Sequence, residues 1–285
     1  MLGYRKKSAV FTICRNESVF LPLWIDYYRG YFKDKDIYVL DHQSTDKSTD
    51  DMPNRVIVEN DLTEDNNWLI EVTCDFQKKL LEKYESVLFV NVDEIVVPDP
   101  EVYNGIQDYI EKNKHRNMVR CLGFEVLHML KDEPDYDVNK KVLEQRKFWY
   151  NNPKVYNKPL LSQVPIEWAC GWHNAKNANP SVDKNLFLIH LHRMDYSYCL
   201  SRHKKTAAEP VYRPDLDDKK WGWHFRIHED EEFAKWFYCV KAAKILDAPK
   251  SLSVFEQDKM NSFDTVYNLA SEMVSEIPLK LQESV

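Results

Sequence analysis

Three short polar segments follow apolar runs within the first hundred residues: 15–17 (RNE), 41–46 (DHQSTD) and 91–94 (NVDE). The last one interrupts the run VLFVNVDEIVV, where a carboxylate such as Asp93 is costly to bury unless it is paired or bound to a cation. A hard divalent ion such as Mg²⁺ or Mn²⁺ would satisfy it, and a helix N-terminus is the alternative partner. Segment 41–46 is equally typical of an ordinary turn.

The apolar runs that carry these segments predict strands, and stretches with apolar residues at helical spacing separate them. Strands that are apolar almost throughout and alternate with helices indicate a buried parallel sheet with helices on both faces. Because open α/β sheets hold ligands at the carboxyl ends of their strands, we expect the three polar segments at one edge. The predicted strands are 8–14, 36–41, 56–59, 87–97, 118–124 and 185–193, and the predicted helices are 17–32, 67–84, 101–114, 196–208 and 231–246.

Several classes of protein are excluded by composition. Glycine is scarce, with six residues where average usage would give about twenty, and their isolation excludes glycine-rich phosphate loops. The net charge of -7 provides no basic surface for nucleic acid, and no apolar run approaches the length of a membrane span. Six separated cysteines without a C-x-x-C pair indicate buried thiols in a reducing compartment, so we expect a cytoplasmic protein.

The chain of 285 residues is expected to form one domain, because it contains no internal repeat and no low-complexity linker. Its pattern changes after the first hundred residues, so we divide the domain into residues 1–100, residues 101–230 and a C-terminal helical extension at 231–285. The strongly patterned first part carries all three polar segments.

The motifs CRNE at 14–17, VLDHQSTD at 39–46 and FVNVDE at 89–94 together resemble family 2-like glycosyltransferases of the GT-A fold. The resemblance is most specific over residues 8–97 and continues more loosely to Asp195. It implies a Rossmann-like α/β fold with a mixed, mainly parallel sheet flanked by helices. It also implies a metal-dependent enzyme that moves a sugar from a nucleoside-diphosphate sugar, such as a UDP- or GDP-sugar, to a hydroxyl group of a glycan, lipid-linked or protein acceptor.

In such enzymes the loops after the first strands hold the nucleotide, and a D-x-D motif binds the metal that bridges the two phosphates. The resemblance therefore implies that residues 1–100 hold the donor, and that residues 101–230 serve the acceptor and the metal. Asp93 matches the metal-binding acid, whereas Asn91 replaces the first acid of the motif and contributes no charge. The implied nucleotide-sugar-binding residues are Arg15, Asn16, Glu17, Asp41, Ser44, Asp46, Asn91, His173, His192 and Arg193.

A third metal ligand in GT-A enzymes is often a histidine from a later strand. His190 and His192 are expected on one face of the predicted strand 185–193, and His190 is the preferred ligand for Mn²⁺ or Mg²⁺ beside Asp93. The alternative is that either histidine is an ordinary core or surface residue. His173 could serve the same purpose as this pair.

An inverting transferase also needs a base that takes the proton from the acceptor hydroxyl group. The candidates are Glu125 and Asp195, and Glu125 is preferred because Gly123 would let a substrate approach the backbone there. Two other functions stay open. A non-catalytic or degenerate protein that binds nucleotide sugars or glycans is compatible with Asn91, and a nucleotidyltransferase is less compatible with the scarcity of glycine.

Overall fold

The structure, a computed structural model, describes residues 6–59, 66–130, 132–208, 227, 229–238 and 274–285. The chain divides into two compact units. The first unit comprises Met1–Asp61, Asn66–Leu122 and Asn157–Leu188, and the second comprises Leu62–Asp65, Gly123–Tyr156 and Ile189–Val285. The expected organisation as one domain with a helical extension stays a prediction.

Strands and helices alternate through the first hundred residues, as the apolar pattern predicts. The strands are β1 (Lys6–Cys14), β2 (Ile37–Asp41), β3 (Arg55–Ile57), β4 (Tyr84–Phe89), β5 (Glu94–Pro98), β6 (Met118–Leu127), β7 (Phe148–Tyr150), β8 (Pro159–Ser162), β9 (Val182–His190) and β10 (Val274–Glu276). The α-helices are α1 (Phe20–Arg29), α2 (Asn66–Leu81), α3 (Ile106–Lys112), α4 (Val142–Gln145), α5 (Pro153–Tyr156), α6 (Tyr196–Ala208), α7 (Asp230–Phe237) and α8 (Leu279–Gln282). No helix among these described residues is long and apolar enough to cross a membrane.

The first unit contains four parallel strands in the order β3, β2, β1 and β4. Strand β8 runs antiparallel beside β4, and the first half of β6 runs antiparallel beside β8. Helix α2 packs against β4, while α1 and α3 pack against β5. The expected α/β class is confirmed: helices flank a mixed sheet, and the four strands β3, β2, β1 and β4 of the first unit are parallel.

The central position of β1 explains its apolar sequence. This strand hydrogen-bonds to β2 on one side and to β4 on the other, and Val10, Phe11 and Thr12 are fully buried. A parallel strand covered on both faces leaves no position where a charged side chain could reach water. The first charged residue after Lys7 therefore stands where the strand ends, at Arg15.

The second unit contains an antiparallel sheet formed by the end of β6, β7 and β10. Trp149 on β7 stacks on Phe124 with ring centroids 3.9 Å apart, and its indole Nε1 donates a hydrogen bond to Ser275 Oγ at 3.0 Å. Aromatic side chains of α7, among them Phe233 and Trp236, belong to the buried core of this unit. This core surrounds the histidines described below.

Two predicted strands differ from the observed ones in ways that affect the site. The predicted strand 87–97 is broken between β4 and β5, where Glu94 N–H donates to the carbonyl of Asn91 in a turn. Asparagine favours turns, so it interrupts the apolar run at this point. Strand β9 ends at His190, so His192 and Arg193 lie in the following loop and the prediction that they continue the strand is wrong.

Helix α6 matches its predicted bounds, whereas the predicted helices 17–32 and 101–114 are shortened to α1 and α3. Within the expected extension at 231–285, the described residues form most of α7 together with β10 and α8. Residues 239–273 lie outside the described part of the chain, and the prediction of a helix continuing to residue 246 falls partly on them.

Candidate functional site

The carboxyl ends of β1, β2 and β4 meet at one edge of the first unit's sheet. The register pairs Cys14 with Asp41 and Phe11 with Phe89, so the loops 15–17, 42–46 and 90–93 leave the sheet side by side. We call these three loops, together with the strand-end residue Asp41, the carboxyl-edge site. The position is the one where open α/β sheets bind ligands.

Asn16 joins the first two loops of the carboxyl-edge site. Its side-chain oxygen accepts hydrogen bonds from the backbone N–H of Thr45 at 2.7 Å and of Asp46 at 3.2 Å, and its own N–H donates to Ser44 Oγ at 3.0 Å. Asn16 has a φ of 56° and Gln43 a φ of 54°, a left-handed conformation that asparagine tolerates and that costs most other non-glycine residues about 1 kcal/mol or more. The contacts between the loops offset this cost.

Asp41 is fully buried and its carboxylate accepts four protein hydrogen bonds or ionic contacts. Ser44 N–H donates to Oδ1 at 2.8 Å, Thr49 Oγ1 donates to Oδ2 at 3.0 Å, and the guanidinium of Arg55 contacts Oδ2 at 2.8 and 2.6 Å. Burial alone would raise the pKa of Asp41, but the hydrogen bonds from Ser44, Arg55 and Thr49 outweigh it and lower the pKa. Asp41 therefore positions the second loop.

Arg15 and His42 form the more enclosed part of the carboxyl-edge site. Arg15 Nη1 donates to the carbonyl of His42 at 3.4 Å, and the His42 ring lies against Trp68 with centroids 4.8 Å apart. Burial, with the positive charge of Arg15, lowers the pKa of His42 to about 4, so this ring is neutral at pH 7. Glu17 is half-buried and Asp46 is exposed at the same edge.

The third polar segment occupies the turn between β4 and β5 and the first residue of β5. Asn91 and Asp93 are half-buried there, and Val92 between them is buried. Glu94 is fully buried and forms an ion pair with the buried Lys158 at 2.6 Å. The charge of Glu94 is therefore balanced within the core, whereas Asp93 retains partial access to solvent.

The loop that carries His173 is fixed by a buried arginine. Arg120 on β6 donates to the carbonyls of Asn157 at 2.9 Å and of His173 at 3.1 Å, and to Asn174 Oδ1 at 3.2 Å. Trp172, next to His173, has a φ of 57° and places its ring 5.2 Å from that of Phe89. His173 is thus anchored through its backbone beside the end of β4.

The second unit joins four other residues into a buried hydrogen-bond network. Glu125 Oε2 accepts from Tyr156 Oη at 2.9 Å and lies 2.6 Å from His190 Nδ1, while Glu125 Oε1 accepts from the Arg193 backbone N–H at 3.0 Å. Arg193 Nη1 donates to Tyr150 Oη at 2.5 Å. We call Glu125, Tyr156, His190 and Arg193 the Glu125 network.

Access to solvent differs within the Glu125 network. The side chain of Glu125 is 2% exposed and both of its oxygens are engaged, whereas that of His190 is 16% exposed. The ring of His192 stacks on that of His190 with centroids 5.9 Å apart and an interplanar angle of 6°. The two rings are neighbours, as predicted, although His192 lies beyond the end of the strand. Of the two groups, His190 is the one that a substrate could reach.

Two expectations about the second unit need correction. The close neighbour of Gly123 is the backbone of Tyr156, with which any side chain at this position would collide, and Asn151 Nδ2 donates to the Gly123 carbonyl. Gly123 therefore makes room for the protein's own chain. Asp195 is buried and caps α6 by accepting from Tyr198 N–H at 2.8 Å, while its other oxygen contacts Arg146 at 3.3 Å. These contacts give Asp195 a structural role.

Sequence reasoning did not single out Arg55, Arg120 or Tyr156, although each positions a predicted site residue. Arg55 is 14 residues from Asp41, Arg120 is 53 residues from His173, and Tyr156 is 31 residues from Glu125. No local spacing marks such partners. The one signal in the sequence is a polar residue that flanks or interrupts an otherwise apolar strand. Arg55 and Arg120 are such residues.

Comparison with known proteins does not assign this chain to a family. No family model matches the chain, and no curated protein matches it. Among solved structures, the chain is similar to S. aureus TarS 1-349, with 11% identity and a TM-score of 0.32. The match covers 81% of this chain and 77% of that chain. A likeness of this size carries no argument about activity, so a functional assignment has to come from the residues of the site.

Proposed function

We propose that this chain is a glycosyltransferase that moves a sugar from a nucleoside-diphosphate sugar to a hydroxyl group of an acceptor. The observation that carries the proposal is the register of β1 with β2 and β4, which brings three polar loops to one edge. This edge is where an open α/β sheet binds its ligand. None of the three loops contains glycine, so the diphosphate is held by side chains and a cation in place of a glycine-rich loop.

The nucleotide end of the donor is assigned to the first two loops. Arg15, Glu17 and Ser44 are half-buried, so they supply polar groups in a partly desolvated place where hydrogen bonds discriminate between ligands. Asp46 adds an exposed carboxylate beside them. Asp41 contributes indirectly, because its carboxylate is occupied in fixing the second loop.

The turn at 91–93 fits a hard divalent cation by the chemistry of its donors. A half-buried carboxylate at Asp93 and a side-chain amide oxygen at Asn91 are ligand types that Mg²⁺ and Mn²⁺ prefer. Glu94 does not compete for the cation, because Lys158 balances its charge. When bound, the cation supplies positive charge for the negative charge that develops on the departing diphosphate.

The proton-accepting role is assigned to His190, and this assignment rests on contacts inside the second unit alone. Glu125 is buried with both oxygens engaged, which makes it unsuited to take a proton from an acceptor hydroxyl group. Its bond to Nδ1 orients the imidazole and stabilises its protonated form, so Nε2 is the nitrogen that accepts the proton. The expected role of His190 as a metal ligand is the second candidate.

The binding step is tested by thermal unfolding with UDP and GDP, each with and without Mn²⁺. Because a ligand stabilises the state it binds, we expect a higher unfolding temperature only when nucleotide and metal are both present. Asp93→Asn should abolish this increase, whereas Asp75→Asn, which changes an exposed acid on α2, should retain it. Indifference of the wild-type protein to every combination, or equal responses of both variants, would overturn the proposal.

Catalysis is tested with the donors built on the nucleotide that binds. Release of nucleoside diphosphate from a nucleotide sugar supports a transferase, since water can replace the acceptor. Binding without release at any enzyme concentration would instead support a non-catalytic sugar-nucleotide-binding protein. Release of pyrophosphate from a nucleoside triphosphate and a sugar phosphate would support a nucleotidyltransferase.

A further inference from the structure

Three metal-binding side chains converge in the second unit, outside the residues assigned to the transferase reaction. Cys199 and His203 are four residues apart on α6 and therefore lie on the same side of this helix. His192 reaches them from the loop that follows β9. One ligand atom from each residue lies within 4.8 Å of the others, and all three side chains are buried.

The two imidazoles face each other through their Nε2 atoms, which are 3.1 Å apart. His203 Nδ1 lies 2.8 Å from the carbonyl of Ile227. A carbonyl can only accept, so Nδ1 carries the proton and Nε2 of His203 presents a lone pair towards His192. A histidine ligand is commonly oriented in this way, by a backbone carbonyl on its other ring nitrogen.

We propose that His192, Cys199 and His203 bind a transition-metal ion of the zinc class. Two imidazole nitrogens and one thiolate form a ligand set that suits Zn²⁺ and Co²⁺ and does not suit Mg²⁺ or Mn²⁺. Tetrahedral bonds of about 2.0–2.1 Å place two nitrogen ligands roughly 3.3 Å apart, close to the observed 3.1 Å. This site is separate in chemistry from the oxygen ligands at Asp93 and does not depend on the proposed transferase activity.

The surroundings support a closed, poorly hydrated site. The ring of Trp236 lies 4.6 Å from that of His203, and the ring of Phe233 lies 5.0 Å from it. Aromatic walls of this kind restrict water and strengthen the bonds between an ion and its ligands. The site would tie the loop after β9 to α6, so the ion stabilises the second unit.

Metal binding requires a defined movement of protons. The Cys199 thiol loses its proton to solvent and binds as thiolate. Arg202 Nη1 lies 3.3 Å from His192 Nδ1, so the proton of neutral His192 is on Nε2 before binding. When Nε2 binds the ion, this proton moves to Nδ1, and the half-buried Arg202 side chain turns away. Binding therefore weakens as the pH falls.

The experiment is a titration of the full chain, stripped of metal with a chelator, with Co²⁺. We expect one ion per chain to give the intense visible absorption of tetrahedral cobalt and a thiolate-to-cobalt charge-transfer band. Zn²⁺ in equal amount should remove both signals, and a large excess of Mg²⁺ should not. Cys199→Ala should lose the charge-transfer band, whereas Cys121→Ala, which changes a buried thiol of the first unit, should retain it.

A second measurement keeps the test independent of whether the Cys199 variant folds. In the wild-type protein, Zn²⁺ should protect Cys199 from alkylation under mild denaturant while Cys121 labels at an unchanged rate, as read by mass spectrometry. Absence of tetrahedral cobalt absorption would overturn the proposal. So would a charge-transfer band that survives in a folded Cys199→Ala protein, or protection of both cysteines alike.

Discussion

The carboxyl-edge site and the Glu125 network hold their polar groups in different ways. In the carboxyl-edge site, Asn16 and Asp41 accept hydrogen bonds from backbone N–H groups of the next loop, and most of the loop residues are half-buried or exposed. In the Glu125 network, side chains bond mainly to side chains, and the only substantial exposure is that of His190. The hydrogen bonds of the carboxyl-edge site fix the backbone of its loops, and those of the Glu125 network fix the imidazole ring of His190.

This difference has a chemical consequence. Backbone-held loops present several oxygen and nitrogen groups to a large polar ligand, as a nucleotide requires. A buried carboxylate that fixes one imidazole instead controls the orientation and proton affinity of a single group, as proton transfer requires. The proposed division of roles, with donor binding in the first unit and proton transfer assigned to the second, follows from this contrast.

The largest expected effect is that of His190→Gln on turnover. Loss of a general base costs about 10²–10⁴-fold in rate, so kcat for transfer or donor hydrolysis should fall by this factor while the nucleotide-dependent thermal stabilisation persists. His115→Gln, which changes an exposed histidine, is the matched control. The Mn²⁺ concentration for half-maximal activity should stay unchanged. An increase in this concentration would identify His190 as a metal ligand.

Glu125→Gln distinguishes a positioning residue from a merely structural one. An amide at this position stabilises the protonated imidazole less than a carboxylate does, so the acidic limb of the kcat/KM profile should move to lower pH. A purely structural loss would lower activity at every pH without moving the limb. The measurement is the pH profile of wild type and variant under the same metal and donor concentrations.

The carboxyl-edge site and the Glu125 network also differ in how well the sequence predicts them. The carboxyl-edge site was predictable because its polar segments immediately follow apolar strands, and parallel strands place such segments at one edge. The Glu125 network was only partly predictable. Its members Glu125, Tyr156 and His190 are up to 65 residues apart, and no periodic pattern links them.

Burial was the other property that the sequence did not show. Asp41 was expected to bind the nucleotide, and in the structure it is fully buried with its carboxylate paired to Arg55 on β3. Asp195 was a candidate base, but α6 starts directly after it and uses its carboxylate as a cap. In both cases the residue type and position suited the expected role, and the sequence did not show the hydrogen bonds that engage the carboxylate.

Asp41→Ala should lower the free energy of unfolding by about 3 kcal/mol, because it leaves the Ser44 N–H, the buried Thr49 hydroxyl group and the Arg55 guanidinium without their acceptor. Asp50→Ala is the matched control, since Asp50 contacts the same Arg55 at 3.1 Å from an exposed position and should have little effect. The measurement is urea-induced unfolding. Equal effects of the two substitutions would mean that the carboxyl-edge site is not fixed by its buried carboxylate.

The pH dependence of stability tests the same carboxylate. The folded-state pKa of Asp41 is lowered, so its contribution is present above the usual pKa of about 4 and is lost as the pH falls through the folded-state value. The difference in unfolding free energy between wild type and Asp41→Asn should therefore narrow as the pH is lowered from about 5 to about 2. A difference in unfolding free energy that stays constant with pH would mean that the ionisation of Asp41 does not contribute to stability.

The smallest expected effect separates the two contributions of Asn16. Asn16→Gly removes the hydrogen bonds to Thr45 and Asp46 but suits the φ of 56°, so it should cost about 1 kcal/mol of unfolding free energy. Asn16→Ala removes the same bonds and leaves the left-handed conformation to a residue that tolerates it less well than asparagine, so it should cost about 2 kcal/mol. Both variants should weaken nucleotide binding alike, because both remove the side-chain hydrogen bonds that join the first loop to the second. If neither variant changed nucleotide binding, the hydrogen bonds of the Asn16 side chain would shape the loops without affecting the donor. The structural contrast between the carboxyl-edge site and the Glu125 network would then have no functional meaning.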